Sequence, residues 1–571
     1  MSETRSTNFL QFRKDIRDGF VNHYLIGTPE SFSANDISDL YEVSNCSFEQ
    51  KIEFKACIFT RPVVFKNCIF KGEVRFANVD FNQSIRFSDC TFEADLSFSG
   101  LAFERLTFER GSYQAIRFKG NINIAKEFPG EITFEGGNYD TIYFDCNQVN
   151  TALFFNAGIF ENLYLSDGNY QGKFSVEGLN IKVNFLSIDS CSFMDRVDFK
   201  VTSKVGSLRL HRVTLNQMTI FHEGFSCDNI SLESVIAKQR VSMLSNGNIS
   251  GVNIGDCDFS SSFECSCYGD IMYSTDHHFS CDLSGVIRGN VLFENIVLSS
   301  IYLNCNNFGN LVFRNTDTHL IVIKDFLNFN RVTFANIRLV YERHFLIIFD
   351  SNVDKMEFVN VDFRRFEEIV IARSEVSNII LSNSVLPPDV RIGTSDPKFG
   401  YVIAADEKIN DNTYYRENYR QLKLAMEKQG NIRASLLYKA KEMHYLRRET
   451  GWGWDKLLLY LNYFSNNHGL SWTRGVLFTL VSTALMYSLF LLSVSRLSLD
   501  LSQGLLPDST SYAMISWLNG FAEFIASFPL YKKQSDLSVS WQSFAIIMSS
   551  RIIIGYGVYQ TVAAFRKFAG K

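Results

Sequence analysis

Arg551 is the residue whose type and setting most demand a chemical explanation. It lies near the middle of an apolar run, Trp541 to Phe565, that is long enough to cross a hydrocarbon core as a helix. A charge at that depth costs at least about 2.5–3.5 kcal/mol, so it has to face a partner or a water-filled cavity. Glu523 is the nearest acidic candidate. A structural Arg551–Glu523 pair is the plainer alternative to lining or gating a pore. Asn519 shares the apolar stretch between Pro507 and Pro529 with Glu523, and Gln560 adds a polar position near the cytoplasmic end of the last run. Ser543, Ser550, Gly557 and Ala564 recur every seven residues, a small-residue stripe that suits close helix packing better than a water-lined wall. Arg551, Glu523, Ser550, Gly557, Gln560 and Asn519 are therefore the candidates for permeation or gating.

Two further groups carry chemistry-bearing side chains. Arg416, Arg420, Lys423 and Arg433 interleave with Tyr415 and Tyr419, and Arg beside Tyr suits phosphates and stacked bases, as in a nucleotide or oligonucleotide. The plainer reading is a juxtamembrane hairpin whose charge follows topology and lipid attraction. Cys265-x-Cys267, His277-His278 and Cys281 are metal-ligating types, but their spacing matches no zinc signature and Cys281 can rejoin a core. No metal or other cofactor is expected. Gly-rich phosphate loop, Gly-x-Ser-x-Gly elbow and His-Glu-x-x-His are all missing, so an enzyme is not expected either.

The elements that must position these residues divide the chain. The last part, 451–571, reads as a membrane domain. It comprises an interfacial helix over 454–464, a span over 475–495, a re-entrant segment over 512–530 and a second span over 541–565. Val476 to Val494 is an unbroken run of 19 apolar and small residues between Arg474 and Arg496. Basic residues before the first span (Lys439, Lys441, Arg447, Arg448, Lys456) and after the second (Arg566, Lys567, Lys571) should both face the cytoplasm. Two crossings satisfy that and three do not. Non-helical backbone between the spans is tolerated only inside protein or beside water, which implies a homo-oligomer, with four copies the natural guess. Gly555-Tyr556-Gly557 matches a potassium-filter tripeptide but lies inside a span and lacks the preceding Thr-Val, so no potassium selectivity follows. Residues 396–450 form a basic connector of two helices, Thr413 to Gln429 and Ile432 to Glu449, broken at Gly430-Asn431. Tyr415, Tyr419, Leu422 and Met426 mark an apolar stripe on the first, and Leu436, Leu437, Met443 and Leu446 one on the second.

Upstream, the region 46–395 reads as one repeating domain, and from about Cys46 to Phe103 it repeats every eleven residues. Phe48, Phe59, Phe70, Phe81, Phe92 and Phe103 fall on one ladder, Phe54, Phe65, Phe76, Phe87 and Phe98 on a second, and Cys46, Cys57, Cys68 and Cys90 on a third. Apolar spacings of five and six suit short strands joined by corners, and a fixed period of one supersecondary unit marks a solenoid. The beat continues as apolar-x-apolar triplets, among them those at Phe185 and Met218, then stretches to 28 residues between Phe263 and Val291. The expected fold is a β-solenoid, a right-handed parallel β-helix of roughly 16 coils. At ~4.8 Å per strand that is a rod roughly 75–80 Å long. Phe9, Phe12, Ile16, Phe20 and Tyr24 step by three and four, which predicts an amphipathic helix over 7–25 capping the first coil within an N-terminal segment of 1–45. The polar start carries no export signal.

Composition agrees with this division. Residues 413–571 carry 18 Lys and Arg against 9 Asp and Glu, which leaves the rest of the chain, with 38 against 52, at −14. An acidic rod excludes non-specific nucleic-acid binding. All twelve cysteines lie between Cys46 and Cys305, where they are expected to pack inward as reduced, small hydrophobes in a cytosolic compartment.

Residues 46–390, with their alternating beat of five and six, resemble the pentapeptide-repeat class of bacterial β-helices, which implies fold but not function. Tyr419-Arg420-Gln421-Leu422-Lys423, Gly430-Asn431, Ala434, Tyr438, Glu442-Met443 and the ending Tyr559-Gln560-Thr561-x-x-Ala564-Phe565-Arg566-Lys567 resemble bacterial repeat proteins with C-terminal channel-like membrane modules. That resemblance covers about 413–568. It implies a membrane protein of the ion-channel kind, and some such proteins act as membrane effectors in anti-phage defence; with the placement of basic residues, the expected location is the bacterial inner membrane with the β-helix and both termini cytoplasmic. The leading expectation is thus an oligomeric, gated, ion-conducting pore with a cytosolic β-helix as sensor or scaffold, its trigger a nucleotide, oligonucleotide or protein. The alternative is a membrane-tethered scaffold that docks a protein partner without conducting ions. A third, an acidic duplex-like surface offered to a topoisomerase, is allowed by the charge but opposed by the membrane segments.

Overall fold

The computed structural model describes residues 41–124, 130–178, 181–200, 204–222, 225–245, 251–267, 280–339, 343–385, 412–493 and 541–569, with strand or helix positions also at 5–6, 20–22, 24–26, 30–32, 517–519, 521–522 and 524. The chain forms two units, Met1–Ile403 and Ala404–Lys571.

The first unit is a parallel β-helix. One column of inward residues can be followed from coil to coil: Phe54, Phe76, Phe98, Phe118, Phe144, Leu165, Ile188, Leu210, Leu232, Ile254, Leu283, Leu303, Ile323, Ile348 and Ile371. These rungs enclose about 14 turns, or roughly 65–70 Å at ~4.8 Å per rung. That is fewer than the 16 coils expected, because several turns exceed 22 residues. Phe118 to Phe144 takes 26, Ile254 to Leu283 takes 29 and Ile323 to Ile348 takes 25.

Strand pairing at the rung spacing lays like side chains face over face. Phe48, Phe70, Phe92, Tyr113, Tyr139 and Phe160 stack with centroids 4.5–5.2 Å apart. Phe65, Phe87, Phe108, Phe134 and Phe155 stack at 4.8–5.4 Å in a neighbouring column. The two kinds of column meet edge to face, as at Phe65–Phe70 (6.2 Å, 67°). Offset stacking along the axis and edge contacts across it are both favourable for aromatic quadrupoles. Eleven of the cysteines are described as buried and unbridged. Burial pushes the thiols of Cys191 and Cys257 up to about 12, so they remain neutral packing groups.

One residue in each five-residue spacing, such as Ala56 between Phe54 and Phe59, has a definite role. Asn45, Ala56, Asn67, Asn78, Asp89 and Gly100 fall eleven apart, and each turns its corner in the left-handed region (φ 50–61°). In the C-terminal coils the same device becomes a ladder. Asn295, Asn315, Asn336, Asn360 and Asn383 are all left-handed (φ 50–57°), and from Asn315 on each donates its Nδ2 to the Oδ1 of the one before it at 2.7–2.9 Å. Asn and Asp tolerate this conformation because a short polar side chain can bond locally.

Four sequence expectations are corrected. The helix over 7–25 fails from Phe20 onward. Phe20–Asn22 and Tyr24–Ile26 are strands, in register with Glu42–Ser44 and Ser47–Phe48, so the solenoid starts before residue 46. An open strand edge pairs with any extended chain beside it, and that overrides a helical spacing of aromatics. Residues 7–19, and the expected end of the β-helix at 395, lie outside the described residues. Triplets starting at Phe185 and Met218 are out of phase by one. Leu186 and Ile188, then Thr219 and Phe221, point inward, since adjacent apolar residues leave the period-two phase open.

Ala56 is exposed and left-handed without a local hydrogen bond from its side chain, a conformation that costs an L-residue roughly 1–2 kcal/mol. Ala56→Asn, one coil from Asn78, should stabilise the protein by about 1 kcal/mol, and Ala56→Val should destabilise it. Denaturant midpoints of the full chain check both signs.

Candidate functional site: the helical unit and its polar junction

The second unit opens with a hairpin of α1 (Asn412–Lys428) and α2 (Ile432–Glu449). Gly430 at φ 72° ends α1, with Asn431 N bonded back to the Met426 carbonyl, and Asn431 then caps α2 by accepting from Ala434 N at 3.1 Å. The interior is a tyrosine stack: Tyr415–Tyr445 at 4.6 Å, Tyr419–Tyr445 at 5.7 Å and Tyr419–Tyr438 at 6.1 Å. The buried face of α2 is accordingly Ser435, Leu436, Tyr438 and Glu442, while Leu437, Met443 and Leu446 are only half-buried. The stripe expected on α2 is displaced because Ser435 bonds Glu427 at 3.0 Å and Glu442 receives Lys423 at 2.9 Å.

The anion candidates are therefore already engaged within the hairpin. Arg416 pairs with Glu449 at 2.7 Å, Arg420 with Glu417 and Lys423 with Glu442, while Tyr419 is buried and Tyr415 is stacked. Arg433 is exposed in the first turn of α2, apart from that group. The Arg420 guanidinium holds the Glu417 carboxyl below its ordinary range.

From α2 the chain passes to α3 (Trp454–Asn466), a 3-10 turn (Asn467–Gly469) and α4 (Trp472–Ser493). Arg447 of α2 lies over two rings of α3, Tyr463 at 4.2 Å and Tyr460 at 4.9 Å, and contacts His444 Nδ1 at 3.2 Å. His468 is buried in the turn at φ 58°. Burial, with the positive charges of Arg447, His444 and Lys439, brings its imidazole down to about 4, so it is neutral at pH 7. Asn462 and Asn466 project from α3 onto α5 (Trp541–Ala569). Tyr556 Oη and Gln560 Nε2 donate to Asn462 Oδ1 at 2.7 and 3.0 Å, and Asn466 Nδ2 donates to Gln560 Oε1 at 2.6 Å.

Helices α4 and α5 run antiparallel in close contact. A Cβ on Gly475 would lie 3.0 Å from Thr561 Cα, and one on Gly557 would lie 3.3 Å from Thr479 Cα. Gly475-x-x-x-Thr479 thus meets Gly557-x-x-x-Thr561 reciprocally, and both threonine hydroxyls bond their own helix (2.8 and 2.9 Å). Trp472 touches Phe565 at one end, and Phe478 touches Tyr556.

This settles where the pore candidates sit. Ser550 and Gly557 are buried, with Ala564 on the same stripe, and Gln560 is committed to Asn462 and Asn466. Arg551 is half-buried and Asn519 exposed. Glu523 and the Ser543 side chain lie outside the described residues. Residues 517–519, 521–522 and 524 are helical, and Trp517, Phe521 and Phe524 pack around Tyr487 of α4 at 5.4–5.9 Å. Of the metal candidates, Cys265 and Cys281 are fully buried in the β-helix core, Cys281 beside Val252 and Ile301 in register. His277, His278 and the Cys267 side chain lie outside the described residues. Sequence reasoning missed Asn462, Asn466, His468 and the Gly475–Thr479 face. Only the last had a legible signal, a small-x-x-x-small spacing repeated on α5.

Burial keeps His468 neutral, so its contribution to stability is complete above pH 6.5 and fades as pH falls toward 4, by up to about 3 kcal/mol. His468→Gln should flatten that acid sensitivity in thermal melts of the solubilised protein between pH 7 and 4. Gly557→Val should push α4 and α5 apart and destabilise the unit by on the order of 1–3 kcal/mol, measured in the same melts.

Residues 44–90 and 54–102 match the family model of pentapeptide repeats (nine copies). No curated protein and no solved structure matches the chain. Residues 44–102 of the β-helix are accordingly pentapeptide repeats.

Proposed function

We propose that the helical unit crosses a bilayer twice and that several copies assemble into a gated ion-conducting pore, with the β-helix as a cytosolic sensor or scaffold. The carrying observation is the antiparallel contact of α4 and α5. α4 is 22 residues long, its most apolar stretch has a mean hydropathy of 2.0, and only 22% of that stretch is buried, unlike the core helix of a soluble protein. Leu477, Val481 and Leu485 are about 60% exposed, as lipid or a second copy would require. α5 accompanies α4 from Trp472 at one end, so the depth reached by one is reached by the other. Continuing the Gly475–Thr561 and Thr479–Gly557 pairings brings Arg551 level with Leu485, near the middle of α4. A cation at that depth has to face water or an opposite charge, and a water-filled pore is one such setting.

Arg447 joins the hairpin to α3, and Asn462 and Asn466 join α3 to the helix carrying Arg551. Binding of a nucleotide, oligonucleotide or protein at the hairpin or β-helix would bias the pore through that connection. Residues 512–530 would dip into the membrane between the spans, four copies would close the ring, and both termini would face the cytoplasm of a bacterial inner membrane. The resemblance of 413–568 to channel-like effectors extends the proposal to anti-phage defence.

A second reading is a tethered scaffold that conducts nothing. It is favoured by Ser550, Gly557 and Gln560, all of which face neighbours within the chain. Proteoliposomes decide between them. A pore releases trapped ions or dye, and Arg551→Leu changes that conductance several-fold with the protein still inserted. A bilayer that stays tight under every ligand tried leaves the scaffold.

A further inference from the structure

Cations of the helical unit differ in what answers their charge. In the hairpin, Arg416, Arg420 and Lys423 are each answered by a carboxylate: Glu449, Glu417 and Glu442. Arg474, in the first turn of α4, and Arg566, near the end of α5, are exposed and have no carboxylate partner among the described residues. The antiparallel packing puts both at the same end of the pair, where Trp472 meets Phe565 edge to face at 6.3 Å. Large apolar side chains continue from that end along both helices: Leu477 (61% exposed) and Leu480 on α4, Tyr559 and Val562 on α5. Two uncompensated guanidiniums beside an exposed aromatic pair, above an apolar wall, have the chemistry of a lipid phosphate with its chains below. Arginine binds phosphate oxygens through a planar fork, and an indole settles at headgroup depth.

We propose that this end of the α4–α5 pair binds the phosphate of an anionic phospholipid headgroup through Arg474 and Arg566. The inference rests on the membrane-spanning reading but not on ion conduction. It gives the unit a lipid preference and ties the two ends together through a shared ligand.

The test uses the full chain in detergent, incubated with phosphatidylglycerol, phosphatidylcholine or millimolar inorganic phosphate, reading bound lipid and thermal midpoint. Wild-type protein should retain phosphatidylglycerol over phosphatidylcholine. Arg474→Gln and Arg566→Gln should each weaken that retention roughly fivefold. Arg61→Gln, which removes the same charge from an exposed position of the β-helix, should leave it unchanged. Equal retention of the two lipids, or an equal loss in Arg61→Gln, overturns the site. A midpoint shift given in full by inorganic phosphate overturns the lipid assignment. Flotation with phosphatidylcholine vesicles separates the two levels. Wild type and both variants should float. Flotation without lipid preference defeats only this inference, whereas failure of the wild type to float with any vesicle defeats the membrane reading beneath it.

Discussion

Parallel strands hydrogen-bond only to the rungs above and below them, and that constraint governs the whole of the first unit. Each coil must bring its strand to the height at which its neighbour's N–H and C=O groups are waiting. Side chains one turn apart are then held at the rung spacing, whatever they are. A column of phenylalanines is stable there because that spacing is also a good stacking distance for rings. The corner has to absorb the change of direction without losing register. One left-handed residue does so every eleven, which is why Asn, Asp and Gly recur just ahead of the inward Cys or Leu. In the last coils the corner residues also bond one another, so the Asn295–Asn383 ladder lends the C-terminal half a polar seam where its core carries more serine and asparagine.

The helical unit answers a different requirement. Its helices satisfy their own backbones and leave long apolar faces outward, so what remains to be decided is which helix touches which. Glycine opposite threonine, twice, lets α4 and α5 approach until backbone meets side chain. Among the described residues, an amide network joins them where α3 packs, at Asn462, Asn466, Tyr556 and Gln560. A satisfied amide network of this kind fixes one rotation and one height of α5 relative to α3. The same junction holds Arg447 on two tyrosines and keeps His468 uncharged. The most specific chemistry in the unit therefore lies where hairpin and apolar helices meet, not along the small-residue stripe.

Periodicity was the readable part of this chain. The eleven-residue ladders, the inward cysteines, the hairpin break at Gly430-Asn431 and the apolar run that became α4 follow from local order and length alone. Phase was less readable: Phe185 beside Leu186 and Met218 beside Thr219 offer two faces of nearly equal hydrophobicity. Aromatics spaced by three and four at the N-terminus mimic a helix until a neighbouring rung claims Phe20–Asn22 as a strand. The α2 stripe was misread because tyrosines and a Lys423–Glu442 pair, not leucines, fill the hairpin.

What the amino-acid order determined by itself is the repeat, hence the solenoid, and a helix long and apolar enough for a bilayer, because both depend on spacing along the chain. Only the tertiary structure decided that Asn462 meets Gln560 98 residues away, that Gly557 packs on Thr479, and that Arg474 and Arg566 share one end with no carboxylate partner among the described residues. Those meetings depend on the rotation and direction of whole helices. Rotation is set by the best packing among several apolar faces, a comparison that cannot be made within any one of them.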